Sequence, residues 1–449
     1  MLDTSLSINV DLIRDAAHPL TGGPADYDPL MDLIGDARFV LLGEASHGTH
    51  EFYRERAQIT KRLIREKGFT AIAVEADWPD AYRVNQYVQS QGHDTEAIEA
   101  LSGFQRFPAW MWRNADLLDF VGWLRSHNDS LPAESAAKVG FYGLDLYSLH
   151  ASIAAVLTYL DKVDPDGAAR ARYRYACFEH FGEDPQTYGY VAGFGLSHTC
   201  ESEVVAQLTE LRRRAAEYAR RDGRIAAEDF FSAEQNARLV RNAEEYYRTM
   251  FRERVSSWNL RDAHMAETFD ALAEHLELTQ HRPKLVIWAH NSHLGDARAT
   301  RMHRAGEWNV GQLIRQRYGN DCRLIGFSTY TGTVTAASNW DGPAERKRVR
   351  PARPDSYEGL FHTTGMSAFL LTLEHGSQVA NGLSEPMLER AIGVIYLPES
   401  ELTSHYFEAR LSDQFDAIIH FDRTRAVEPL EAIAEMRDGE PAETFPSGV

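Results

Sequence analysis

Cysteine is scarce in this sequence of 449 residues, which contains only Cys177, Cys200 and Cys322. The number is odd and no C-x-x-C spacing occurs, so the sequence predicts neither a disulfide framework nor a thiolate zinc site. Three reduced cysteines are typical of a protein from a reducing compartment. We therefore expect a cytoplasmic protein.

Long apolar runs are also absent. No unbroken apolar stretch reaches the length needed to cross a bilayer. The first 19 residues include Asp3, Asp11 and Asp15, and they lack the basic start and apolar centre of a secretory signal. We expect no membrane as a partner.

Positive charge is in deficit, because 47 lysine and arginine residues face 66 acidic residues and leave a formal charge of -19. Such a chain repels a phosphate backbone, so we expect no nucleic-acid partner. A neutral or cationic small molecule fits this charge better. The composition is otherwise that of a globular protein, and it leaves the oligomeric state open.

Short apolar runs alternate with helix-periodic segments, which predicts an α/β fold with a mostly parallel central sheet flanked by helices. The predicted strands are 39–42, 71–74, 139–144, 285–289, 324–327, 394–396 and 418–421. Residues 148–282 are highly charged and helix-periodic, which indicates an inserted helical subdomain. Residues 1–147 and 283–439 would then form the two parts of the α/β core, and 440–449 a flexible tail.

Ionisable side chains follow four of the predicted strands. In chain order these side chains are Glu44 and His47, Glu75 and Asp77, Asp145, and His290 and His293. Parallel strands place their carboxyl ends at one edge of a sheet, where ligands bind in open α/β folds. We therefore expect these groups to converge on one cleft.

His47 is the central candidate, because it lies in a loop between Gly43 and Gly48 that enters a helix. The glycines allow tight or positive-φ conformations, and Thr49 is a suitable N-cap. A helix N-terminus favours a neutral imidazole, so His47 could act as a general base oriented by Glu44 or Glu75. The structural alternative is a histidine that is satisfied within a strand-end loop.

The carboxylates also have structural explanations. A buried Glu75 needs a partner such as His47, Arg56 or a metal ion. Asp77 is equally suited to cap a helix. Asp145 ends a strand and would border the same cleft.

His290 and His293 could place two imidazoles near one ion or one substrate oxygen, or they could simply cap the strand end. His293 is the better candidate for the structural role. Arg261 would face the cleft as a partner of an oxyanion or a carboxylate, or it would form a solvated ion pair. Trp112 would line the cleft or belong to the core.

Several other chemistries lack their motifs. Gly43-Glu44-Ala45-Ser46 and Gly326-Phe327-Ser328-Thr329-Tyr330 both miss the G-x-S-x-G nucleophile elbow. The sequence has no G-x-x-x-x-G-K-[ST] phosphate loop, no H-E-x-x-H and no convincing G-x-G-x-x-G after a strand. Covalent serine catalysis and nucleotide chemistry are therefore disfavoured.

Four separated motifs together resemble the erythromycin esterase family. They are Leu42-Gly43-Glu44-Ala45-Ser46-His47-Gly48-Thr49 with Val74-Glu75-Ala76-Asp77, Phe107-Pro108 with Trp112-Arg113-Asn114, Arg261-Asp262, and Trp288-Ala289-His290-Asn291-Ser292-His293. The similarity is ordered along the chain from about residue 30 to at least residue 430.

The resemblance implies a deep cleft in an α/β core and hydrolysis of an ester or macrolactone by histidine-activated water, without an acyl-enzyme. His47 would be the base, Glu44 and Glu75 its supporting carboxylates, Arg56 their charged partner and His290 a second essential histidine. His293, Arg261, Asp77, Trp112 and Asp145 are the predicted substrate-binding residues.

The expected partner is a small-molecule ester or lactone, with macrolides as the family's familiar substrates. No cofactor is expected. The first alternative is a metal-dependent hydrolase that holds a divalent ion through His47, Glu75 and His290. The second is a non-catalytic binding protein with the same fold.

Overall fold

A nine-stranded sheet lies at the centre of the computed structural model, which describes residues 4–132, 135, 138–181, 185–196, 198–218, 223–251 and 254–431. Within the described residues, the strands of this sheet and of a smaller second sheet are β1 (His18–Pro19), β2 (Phe39–Leu42), β3 (Ala71–Asp77), β4 (Gly140–Asp145), β5 (Leu285–Trp288), β6 (Cys322–Ala336), β7 (Glu345–Val349), β8 (Ala368–Thr372), β9 (Met387–Arg390), β10 (Tyr406–Ala409) and β11 (Ala417–Thr424). The predicted tail at 440–449 lies outside the described residues.

The middle of the sheet is parallel. Its order is β1-β8-β11-β6-β2-β5-β3-β4, and all neighbours from β11 to β4 run in the same direction. At one edge, β8 pairs antiparallel with β11, and β1 pairs antiparallel with β8. Strand β7 pairs antiparallel with the C-terminal residues of β6. Strands β9 and β10 form a separate antiparallel pair.

Helices cover the sheet. They are α1 (Thr4–Ala16), α2 (Asp28–Ile34), α3 (His50–Lys67), α4 (Trp78–Val88), α5 (Ala97–Ala100), α6 (Ala115–Asp129), α7 (Leu149–Val163), α8 (Pro165–Tyr175), α9 (Pro185–Gly193), α10 (Glu201–Tyr218), α11 (Gly223–Met250), α12 (Arg254–Glu277), α13 (Asn291–Leu294), α14 (Arg301–Arg304), α15 (Val310–Tyr318), α16 (Tyr357–His362), α17 (Gln378–Gly382), α18 (Glu401–Ser404) and α19 (Leu411–Gln414). Within the described ranges, no helix is both long and apolar enough to cross a membrane.

Alternating strand residues build two cores, because successive side chains on a strand point to opposite faces. Phe39 and Leu41 of β2 belong to the core on one face, which includes Phe269 of α12. Val40 and Leu42 belong to the core on the other face, which includes residues of α3, α4 and α6. The continuous apolar run is thus explained by burial on both faces.

Helices α7 to α12 lie between β4 and β5 in sequence and pack over one face of the sheet. The predicted α/β fold, with a mostly parallel sheet, flanking helices and a helical insertion, is confirmed.

The strand predicted at 394–396 is wrong. The backbone–backbone hydrogen bonds of this segment go to Ala337, and Ile395 forms an isolated bridge with the same residue. The segment crosses the edge where the parallel strands end. Its apolar residues cover the cavity described below, so their hydrophobicity reflects burial there and not pairing in the sheet. Strand β7 was not predicted, because its sequence Glu-Arg-Lys-Arg-Val has no apolar run.

The expectation for the cysteines was also incorrect. Cys177 and Cys200 form a disulfide in the helical insertion, and Cys322 is buried and free. The two partners are 23 residues apart, and the packing of the intervening helices brings them together. Their spacing alone carries no sign of this pairing.

Candidate active site

The predicted strand ends meet at one edge of the sheet, because β2, β5, β3 and β4 are consecutive neighbours. Their loops and α12 surround a cavity of about 340 Å³. The predicted residues that line it are His47, Glu75, Asp77, Trp112, Asp145, Arg261, His290 and His293. Glu44 and Arg56 are buried and contact His47 or its partner from behind.

Gly43 and Gly48 are required for close approach. A Cβ on Gly43 would lie 2.1 Å from the Asn291 side-chain oxygen, and one on Gly48 would lie 1.9 Å from the carbonyl oxygen of Thr335. Neither glycine has a positive φ. The two contacts clamp the His47 loop between the loop after β5 and strand β6.

His47 forms a buried chain with Glu44 and Arg56. Its Nδ1 lies 3.0 Å from Glu44 Oε1, and Arg56 Nη2 donates to Glu44 Oε2 at 2.7 Å. Arg56 is fully buried, with its guanidinium over the rings of Tyr53 and Trp288 at 4.5 and 5.1 Å. Because a carboxylate accepts, Nδ1 of His47 carries the proton and Nε2 keeps its lone pair.

His290 also lines the cavity and contacts His47, with ring centroids 4.8 Å apart. The backbone N–H of Ser292 donates to His290 Nδ1 at 3.2 Å, so the proton of the neutral ring is on Nε2. Nε2 is buried and has no hydrogen-bond partner among the described residues. Burial, reinforced by the nearby His47, holds the pKa of His290 well below its usual range.

Glu75 is fully engaged by other groups. Its Oε1 accepts from Arg261 Nη2 at 2.7 Å and lies 3.3 Å from His293 Nε2, while Oε2 accepts from the backbone N–H of His290 at 2.8 Å. Burial opposes ionisation, but positive charge at His293, Arg261 and His47 holds the pKa of Glu75 below its usual range. Of the two carboxylates predicted to orient His47, Glu44 makes the contact.

Arg261 connects the strand ends. It also donates to both carboxylate oxygens of Asp145, at 3.0 and 2.6 Å, and so bridges β3 and β4. His293 Nδ1 lies 2.9 Å from Asp262 and the ring stacks on Trp258 at 4.6 Å. Burial would lower the pKa of His293, but Asp262 and Glu75 outweigh it and raise the pKa.

Asp77 occupies the N-cap position of α4, yet its side chain makes no cap hydrogen bond. Its carboxylate accepts from the backbone N–H groups of Tyr147 and Ser148, at 2.7 and 3.0 Å, and contacts Arg106. Burial raises the pKa of Asp77 in spite of Arg106. Asp77 therefore ties α4 to the loop after β4 and presents this ion pair to the cavity.

Aromatic side chains form much of the rest of the cavity wall. They include Phe104, Phe107, Trp112, Tyr147, Trp258 and Trp340. Phe107 and Trp340 meet edge to face at 5.0 Å. Residues 393–397 complete the lining, and the backbone N–H of Ile392 donates to Ala45 O at 2.8 Å, which joins this covering segment to the His47 loop.

Glu75, one of the predicted metal ligands, is committed to other contacts. Both of its oxygens have donors, Arg261 and the backbone N–H of His290. In the part of the chain that the structure describes, no group of three or more His, Cys, Asp or Glu side chains is arranged to hold a metal ion. The donor set therefore does not fit a divalent ion in this conformation.

Sequence reasoning missed several residues of the site. Asp262 and Ser292 lie inside the quoted motifs, next to Arg261 and His293, but nothing in the motifs indicates their contacts. Trp258 lies one helical turn before Asp262, a spacing that could have indicated the same face of α12. Trp340 and residues 393–397 approach only through tertiary folding.

The chain is similar to several known proteins. The model of the erythromycin esterase family matches residues 64–424. The chain is 21% identical to the putative hydrolase YbfO of Bacillus subtilis (strain 168) over 91% of this chain and 89% of that protein. Erythromycin esterase type II of Escherichia coli is 31% identical, but over only 27% of this chain and 26% of that protein.

Solved structures share the fold. A Bacillus cereus protein superposes with a TM-score of 0.78 at 21% identity, covering 95% of this chain and 99% of that one. A mutant of the erythromycin esterase EreC in its open conformation superposes with a TM-score of 0.65 at 19% identity, covering 90% and 95%. With the family model matching most of its length, this chain belongs to the erythromycin esterase family of hydrolases.

Proposed function

We propose that this protein hydrolyses carboxylic esters or lactones with a water molecule that His47 activates, without a covalent intermediate. The observation that carries the proposal is the pair of adjacent imidazoles whose Nδ1 atoms have different partners, a carboxylate on His47 and a backbone N–H on His290. These partners favour a lone pair at Nε2 of His47 and an N–H at Nε2 of His290. An ester bound in the cavity beside the two rings would meet a base and a hydrogen-bond donor.

His47 accepts a proton from water as the water oxygen attacks the ester carbon. The imidazolium that forms is stabilised by Glu44, whose charge is balanced in turn by Arg56. The carbonyl oxygen gains negative charge and accepts a hydrogen bond from Nε2 of His290. Because the pKa of His290 is low, this ring remains a neutral donor at neutral pH.

The tetrahedral intermediate then collapses. Its bond to the alcohol oxygen breaks, and His47 returns the proton to that oxygen, which gives one carboxylic acid and one alcohol. Glu75 contributes indirectly, because it holds the backbone of His290 and the side chain of Arg261. It is therefore a positioning residue in this scheme.

We also propose that no metal takes part, since both oxygens of the candidate ligand Glu75 are occupied by Arg261 and the backbone N–H of His290. Protein purified without added ions should keep full activity after treatment with a chelator. A loss of activity that one divalent ion restores would establish the metal-dependent alternative.

Ser292 supports a second candidate mechanism, because its Oγ lies 2.8 Å from His290 Nδ1. A serine nucleophile also needs a basic histidine, whereas the pKa of His290 is low and its Nε2 contacts no carboxylate in the described residues. We therefore favour activated water. A pre-steady-state burst of alcohol that Ser292→Ala abolishes would establish the covalent route.

The test of the proposal is His47→Ala. Turnover of an ester substrate should fall by at least about a hundredfold, as expected for loss of a general base. The exposed His93 provides the matched control, and His93→Ala should leave turnover unchanged. A folded His47→Ala protein with near-normal turnover would remove His47 from the mechanism.

If His47→Ala leaves both biological activity and ligand affinity intact, the protein is a non-catalytic binder. A panel of macrolides and simple esters, followed by mass spectrometry for the gain of one water, identifies the ester class.

A further inference from the structure

The size of the cavity restricts the ligand. About 340 Å³ is at the lower end of the range for small-molecule sites. Cavities of this volume hold compact small molecules. A glycosylated macrolactone is larger and would extend outside the cavity.

The covering segment limits expansion of the cavity. Ile392 donates to Ala45 O at 2.8 Å, and Ala337 exchanges backbone hydrogen bonds with Val394 and Tyr396 at 2.9 and 3.1 Å. The buried Arg390–Glu401 ion pair, at 2.9 Å, joins the residues that precede and follow this segment. Displacing this wall would break contacts with the same loop that holds His47.

Charges around the cavity disfavour an anionic ligand. Four carboxyl groups line it, those of Glu75, Asp77, Asp80 and Asp145, against two guanidinium groups and the imidazole of His293, whose pKa Asp262 and Glu75 raise in spite of burial. Both guanidiniums are already paired, Arg261 with Glu75 and Asp145, and Arg106 with Asp77. Among the described lining residues, no arginine or lysine is left to bind a carboxylate or a phosphate.

The apolar end of the cavity is formed by Phe107 and Trp340, which come from two unrelated loops and contact each other at 5.0 Å. These rings offer flat apolar surface to the part of the ligand away from His47 and His290. Both side chains are partly exposed, so their truncation should open the cavity without removing a buried core residue.

We infer that the substrate is a compact ester or lactone, smaller than a glycosylated macrolactone. It is neutral or cationic, and its apolar part packs against Phe107 and Trp340. This inference rests on the proposed ester hydrolysis at the same site. The same charge distribution repels the carboxylate product, which favours its release.

The experiment uses the full chain and a series of esters with one common alcohol and acyl groups of increasing size, extended to a macrolactone. Two further esters match one compact member in shape but carry an ammonium or a carboxylate group. We expect kcat/KM to be at least about tenfold higher for the compact ester than for the macrolactone, and by the same margin higher than for the anionic ester.

Trp340→Ala should shift this preference at least about tenfold towards the larger esters. Phe107→Ala is the second variant with the same expectation. Trp123→Ala is the matched control, because Trp123 is partly exposed on α6 and does not line the cavity. An unchanged size preference in both cavity variants would overturn the inference.

Binding of the corresponding ketones, measured by calorimetry, separates this inference from the proposed function, because ketones are not hydrolysed. If compact ketones bind more tightly but no ester is turned over, the selectivity stands and the proposed hydrolysis fails. If the macrolactone, the anionic ester or their ketone analogues are preferred, the inference is wrong.

Discussion

His47 and His290 have different chemical roles in the proposed mechanism because their Nδ1 atoms have different partners. A carboxylate on Nδ1 makes His47 a base at Nε2, and a backbone N–H on Nδ1 makes His290 a donor at Nε2. Glu44 and the backbone N–H of Ser292 thus favour opposite tautomers in two identical side chains. The proposed division of labour between base and oxyanion donor depends on this difference.

Arg56 is the residue whose removal tests the Glu44 contact. Arg56→Ala leaves the Glu44 carboxylate buried without its counter-charge, and breaking such a pair typically costs about 3–5 kcal/mol of folding free energy. Urea unfolding should show this loss, together with reduced ester turnover. Arg54→Ala is the control, because the Arg54 side chain is 42% exposed, unlike that of Arg56, and pairs with Glu55. Equal stability of the two variants would contradict this account of Arg56.

At the scale of elements, the loop from Gly43 to Thr49 depends on close contacts with its neighbours. It is bounded by the loop after β5 on one side and by β6 on the other. The contacts position His47 before any substrate binds. Such preorganisation is the property that a general base requires.

Gly48→Ala tests this packing. The added methyl group would collide with the backbone carbonyl of Thr335, so the loop or β6 must move, at a typical cost of about 1–3 kcal/mol. Turnover should fall with stability. Gly122→Ala is the matched control, because Gly122 lies inside α6 with nothing within 4 Å of the new Cβ, and alanine there should stabilise by about 0.5–1 kcal/mol. A stable and active Gly48→Ala enzyme would show that the loop position is not critical.

At the scale of the whole molecule, buried ionisable side chains also lie outside the central sheet, on the separate strand pair of β9 and β10. Glu389 of β9 is buried, and its Oε2 has no hydrogen-bond partner among the described residues. Burial, together with the neighbouring charge of Glu358, raises the pKa of Glu389 to about 8. The unfolded chain releases this proton near the ordinary glutamate pKa of 4.5.

The folded protein therefore holds a proton that the unfolded chain has lost between about pH 4.5 and 8. Stability should fall as pH rises through this window, because unfolding releases the proton. Glu389→Gln should flatten the decline in urea unfolding curves measured from pH 5 to 8. Glu385→Gln, at an exposed position, should retain it. Parallel curves for wild type and Glu389→Gln would contradict the shift.

Much of the architecture was predictable from local pattern. The runs at 39–42, 71–74 and 285–289 become β2, β3 and β5 because a strand buried on both faces must be apolar throughout. Strands β7 and β9 were not predictable in this way, since their sequences, Glu-Arg-Lys-Arg-Val and Met-Leu-Glu-Arg, contain no long apolar run. The sequence therefore predicted the antiparallel strands and the covering segment of the C-terminal part less accurately than the parallel strands of the core.

The sequence by itself determined that acidic and histidine side chains would meet at one edge of a parallel sheet. Each of these residues follows directly after a predicted strand, and parallel strands end at the same edge. Only the tertiary structure decided which of them touch. The strand order β2-β5-β3 places His290 beside both His47 and Glu75, and α12 brings Arg261 and Asp262 to the same edge. The cavity volume and the pairing of Cys177 with Cys200 likewise arise from contacts between distant segments, which no local pattern encodes.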